Sequence, residues 1–129
     1  MRLIVALVII FFASCKVDLS NPDVKKIYDE VMYVHDEVMP ETSTIHKLRK
    51  ELKKLDETDS LTYALILELE QADEAMMQWM ADFGTFRQMD KEKDEVKIQY
   101  LINEKEKIQT VSDDMMSAIA KAQEYLNNN

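Results

Sequence analysis

Apolar residues in this chain return every three or four positions over three long stretches, a periodicity that packed amphipathic helices satisfy and strands do not. The first stretch runs Val24, Ile27, Val31, Val34, Val38, Ile45, Leu48, Leu52 and Leu55, broken only by Glu41. That is a heptad seam held for more than four repeats, and ~33 residues of continuous helix would reach roughly 50 Å. The second carries Leu65, Leu69, Ala72, Met76, Trp79 and Phe83, with Ile66 and Met80 on one flank and Tyr63 and Met77 on the other. The third carries Leu101, Ile108, Val111, Met115, Ala118, Ala122 and Tyr125, flanked by Ile98, Ile119 and Leu126 and interrupted in its first half by Lys97 and Glu104. One Gly and two Pro beside 32% charged residues fit helices throughout.

Local signals divide the stretches. Asn21-Pro22-Asp23 has the composition of a helix start: a capping amide, a proline suited to the first turn and an acid facing the positive helix end. Pro40 removes a backbone bond and crowds the carbonyl of Asp36, which predicts a kink. The seam resumes in phase at Ile45, so a bent continuous helix is expected, with Pro40 on its outer side. Asp56 to Ser60 gathers turn and cap residues, so the chain should reverse there. Gly84, the only glycine, is placed to end the second helix. Thr85 with Gln88 could then form a capping box, or Asp90 could cap a later start. The expectation is an all-α, elongated, antiparallel three-helix bundle, coiled-coil-like, over residues 22–129, with helices at about 22–55, 59–83 and 88–126. Heptads can also be satisfied between chains, which leaves self-association open.

The N-terminus speaks to location. Arg2 is followed by an uncharged run from Leu3 to Phe12 and by the small residues Ala13 and Ser14, the layout of a signal peptide over residues 1–14. The run is about half the ~20 residues that cross a bilayer as a helix. Phe12-Ala13-Ser14-Cys15 resembles the lipobox of bacterial lipoproteins, departing from it in having Phe12 where Leu is preferred. The resemblance implies that Cys15 receives a diacylglyceryl thioether and a further acyl chain such as palmitate, then begins a tether over 15–21. Several acyl chains would hold the protein stably on a membrane. Lys16 stands where an Asp would mark inner-membrane retention, which by the same resemblance implies the outer membrane of the cell envelope. The single cysteine being committed to lipid, no disulfide staples the domain.

Two further segments, His35-Asp36-Glu37-Val38-Met39-Pro40 and Met76-Met77-Gln78-Trp79-Met80, resemble parts of small helical lipoproteins from Bacteroidetes labelled viral A-type inclusion protein-like. That resemblance implies a coiled-coil composition and no known activity.

The net charge of −9 becomes −10 once Arg2 leaves with the signal. Such a surface repels phosphates, so nucleic acid is not an expected partner, whereas cations and basic protein partners are attracted. Nucleophilic catalysis finds no support: the lipobox resemblance implies that Cys15 is lipidated, no glycine-rich elbow is present, and two histidines form no evident triad. Phosphate loops and clustered zinc ligands are missing too. The charged runs, Asp36-Glu37, Asp113-Asp114 and the Glu-Lys alternation from Lys91 to Lys107, have the pattern of solvated helix faces. The chain is therefore expected to be no enzyme.

One constellation could carry chemistry. In an antiparallel pair turning near residue 58, residues whose numbers add to about 115 share a height. His35 then meets Met80, and Met39 meets Met76, with Met32, Met77 and Trp79 in the same layer. Thioether and imidazole donors suit Cu(I) or Ag(I), and Trp79 could add a cation–π contact. His and Met are also an axial haem pair, but the chain lacks the cysteine pair for covalent haem and this layer has few small residues to make room. The alternative is plain packing, since Met is a flexible core filler. His46, seven residues after Met39, is expected toward solvent. Two functions follow as expectations: a lipid-anchored interaction or structural module, or a soft-metal binder using His35, Met39, Met76 and Met80.

Overall fold

A computed structural model describes residues 17–55 and 58–129. Cys15 and residues 1–14, on which the lipidation and signal-peptide expectations fall, lie outside the described residues.

The first arm of the bundle is helix α1, Pro22–Val38, continued by α2, Glu41–Leu52. Asn21 caps it as its composition predicts: the Asn21 Oδ1 accepts from the amides of Asp23 at 2.8 Å and Val24 at 3.2 Å. Met39 and Pro40 keep right-handed helical dihedrals, so no loop intervenes. Past the proline the bonds tighten to Thr42 N–H to Met39 O and Ser43 N–H to Pro40 O, both 3.2 Å. The helical path is thus continuous through the proline, as expected, and Pro40 is exposed.

The chain then runs back as α3, Ser60–Phe83. Asp59 caps it, its carboxylate accepting from the Thr62 amide at 2.8 Å and the Thr62 hydroxyl at 3.0 Å. Gly84 does not stop the chain with a left-handed turn. Its φ is −56°, and the helix narrows into a 3-10 turn over Gly84–Met89. Phe86, 2% exposed, holds that turn against the core. Nor do Thr85 and Gln88 form a capping box, and Asp90 does not begin the last helix: α4 spans Asp94–Asn127, with Lys93 as an N-cap that makes no side-chain bond. The Thr85 hydroxyl instead donates back to Asp82 O at 2.7 Å, completing the end of α3.

Side-chain pairs fix the directions of the arms. Glu30 meets Lys105 at 2.7 Å and Asn21 meets Asp94 at 2.9 Å, so α1 and α4 run parallel. Lys121 meets Glu68 at 3.0 Å and Thr62 meets Tyr125 at 3.0 Å, so α3 and α4 are antiparallel. Arg49 reaches Glu70 across α2 and α3. The protein is an up-down-up three-helix bundle. Val24, Val31, Val38, Ile45 and Leu52 from the first arm, Leu65, Leu69, Ala72 and Met76 from the second, and Leu101, Ile108, Met115 and Ala122 from the third form one continuous core. Each fully buried aliphatic side chain contributes about 1.5–3 kcal/mol by leaving water. Leu55, expected to extend the first seam, is 38% exposed because α2 has ended at Leu52.

Two seam positions of α4 are polar. Lys97 is 3% and Glu104 2% exposed, so the charges that interrupt the pattern stay inside it rather than turning outward. Lys97 Nζ approaches Asp18 Oδ2 at 3.7 Å, and Glu104 Oε1 accepts from Lys107 Nζ at 2.7 Å. Among the described residues, no helix is long and apolar enough to cross a membrane.

Candidate functional site

Where the C-terminal half of α1 lies beside the C-terminal end of α3, aromatic side chains collect. Trp79 and Phe83 fall one turn apart on the α3 seam, and the 3-10 turn brings Phe86 up behind them. Trp79 stacks on Phe83 with centroids 4.8 Å apart and planes at 13°, and Phe83 on Phe86 at 5.9 Å and 4°. Phe86 continues onto Tyr100 of α4 at 5.7 Å, and Tyr28 of α1 packs against Phe83 at 5.9 Å. Burial is the main cause that raises the Tyr100 hydroxyl above its usual pKa, against a lowering hydrogen bond with Thr85.

His35 closes this stack on the α1 side, its ring centroid 5.7 Å from that of Trp79 and inclined 32° to it. The His35 Nδ1 lies 2.9 Å from Asp36 Oδ1. The Trp79 indole N–H is sealed from solvent without a hydrogen-bond partner. A cleft of about 230 Å³ opens here, with Met32, His35, Trp79, Met80, Phe83 and Arg87 among its walls. Met80 is 37% exposed at the rim.

The antiparallel register thus brings His35, Met80 and Trp79 together at one height, as the sequence leads one to expect. Met39 and Met76 are placed otherwise. Met76 is fully buried on the α3 seam, and Met39 is half-buried against the core; neither lines the cleft. Met32, one turn before His35, does line it. Met77 is 43% exposed outside the cleft. His46 is largely exposed, as expected, but reaches Asp73 at 3.1 Å across α2 and α3.

The deeply buried Glu104 and the aromatic role of Phe86 were not evident from the sequence as read. Both carry a signal: Phe86 follows Trp79 and Phe83 at helical spacing, and Glu104 sits between Leu101 and Ile108 on the seam. A larger, shallower groove of about 640 Å³ lies between α1 and α4, bordered by Lys25, Lys26, Tyr33 and Lys105. Of its charged groups, Lys25 is paired with Asp29 and Lys105 with Glu30. Among the described residues, no cluster of three or more His, Cys, Asp or Glu could hold a metal ion. No protein-family model, curated protein or solved structure matches this chain.

Proposed function

We propose that this chain is a lipid-anchored, non-catalytic protein of the bacterial cell envelope, held at the outer membrane through Cys15, whose bundle serves as an interaction or structural module. The observation that carries the reading is the way the start of the domain is tied down. Val17 and Leu19 pack against the core, the Asp18 amide donates to Asp90 Oδ1 at 3.4 Å, and Asn21 bonds Asp94. An acyl anchor on Cys15 would lie two residues from a fixed point. It would hold the Asn21 and Asp94 end of the bundle at the membrane and carry the turn between α2 and α3 roughly 50 Å away, the length of α4. Exposed Leu61, Tyr63 and Leu67 lie on α3 toward that distal turn, where a protein partner or a second copy would meet them.

Metabolic labelling with radioactive palmitate, followed by membrane fractionation, tests this. The native chain is expected to take up label and sediment with the envelope, and Cys15→Ser to lose the label. An unlabelled native protein recovered in the soluble fraction would refute the anchor.

A second reading, a protein that binds Cu(I) or Ag(I), is favoured by one observation: His35, Met80 and Trp79 share a cleft.

A further inference from the structure

We propose that the cleft between α1 and α3 takes a monovalent soft cation, with His35, Met32 and Met80 as its donors and the Trp79 ring as its cation–π neighbour. This rests on the soft-metal reading and changes its ligands: Met32 replaces both Met39 and Met76. Met32 and His35 stand one turn apart on α1, the spacing that puts two side chains on one helix face, and both line the cleft with Met80 of α3. Met76 is fully buried in the seam and takes no part in that lining.

The contact between His35 and Asp36 suits the role. A carboxylate can only accept, so in the neutral ring the 2.9 Å contact with Asp36 Oδ1 puts the proton on Nδ1 and leaves the lone pair on Nε2. A carboxylate behind a histidine is the usual way a ligand ring is oriented for a metal. The two thioethers are neutral and soft, and with an imidazole they select Cu(I) over hard cations. Trp79, stacked on Phe83, is held with its ring centroid 5.7 Å from that of His35, beside the imidazole that would hold the cation. The cleft, about 230 Å³, falls below the ~300–1,000 Å³ usual for organic ligands and is ample for an ion. Arg87 is the one formal cation in the lining, and its exposure lets solvent screen it.

The test is a titration of the full-length chain carrying Cys15→Ser, kept in nonionic detergent so that no thiol competes, with Ag(I) as an air-stable probe. Trp79, the only tryptophan, reports by fluorescence. The expected result is one Ag(I) per chain with quenching. Met32→Leu, Met80→Leu and His35→Gln should each weaken binding at least tenfold at unchanged helical content, while Met39→Leu and Met76→Leu leave it unaltered. Loss of binding in Met39→Leu or Met76→Leu, with Met32→Leu indifferent, would overturn this ligand set and leave the soft-metal reading standing. Binding that no substitution changes would overturn the site. Absence of any Ag(I) binding would overturn both.

Discussion

Replacing Glu104 by Leu should make this protein more stable. Glu104 is 2% exposed on the α4 seam, between the fully buried Leu101 and Ile108. One carboxylate oxygen accepts from Lys107 Nζ at 2.7 Å, and the other, Oε2, is sealed in the interior without a partner. A buried polar atom left unpaired costs about 1–3 kcal/mol, and exchanging a buried ionic group for an apolar one of similar volume gains about 1–4 kcal/mol. Lys107 is 64% exposed, so releasing its ammonium to water forfeits little. The net expectation is a gain of about 1–3 kcal/mol, or a rise in Tm of roughly 5–15 °C for a domain of this size. Thermal and urea unfolding at neutral pH, followed by far-UV circular dichroism, measure it. Glu104→Gln, which keeps polar atoms in the seam, should gain less. A Glu104→Leu protein that melts at or below the native temperature with an unchanged urea m-value would refute the reasoning.

Two further outcomes follow from the packing and the caps. Leu69 is fully buried at the centre of α3, so Leu69→Ala should lose about 3 kcal/mol, seen as a lower urea midpoint at constant m; a loss within experimental error would mean that the seam collapses around the gap. The hydrogen bonds from the Thr62 amide and hydroxyl hold the Asp59 carboxyl below its ordinary value of 3.8. A depressed carboxyl stabilises the fold above its unfolded pKa and loses that contribution as pH falls through the folded value. Asp59→Asn should therefore melt below the native protein at neutral pH, and the gap should close below about pH 4; a gap constant down to low pH would show that the charge contributes nothing.

Much of the fold is local and therefore legible. Asn21 bonds amides two and three residues away, and Pro40 acts on the turn that contains it, so the helix start and the altered bonding at the proline can both be read from neighbouring residues. The heptad seams name the core because each position reports only which face of its own helix is apolar. Gly84 misleads for a related reason. A glycine near the end of a seam suits a left-handed cap, but Phe86 two residues later finds a place in the core and keeps the backbone winding past it. Lys97 and Glu104 are buried by their helix phase, which a charged residue cannot leave without turning its apolar neighbours outward.

By itself, then, the sequence determines that this chain is three amphipathic arms, where the first two begin, and that the charge is acidic. It also sets the height at which His35 and Trp79 meet, since an antiparallel turn fixes that by counting. Only the tertiary structure decides the rotation of each helix about its own axis. That rotation seats Met32 beside His35 at the cleft and leaves Met80 at the rim, while Met76 stays in the seam that its spacing already marks. The physical reason is that helical period and capping depend on residues within about a turn of each other, whereas the phase between helices is set by all three arms packing at once.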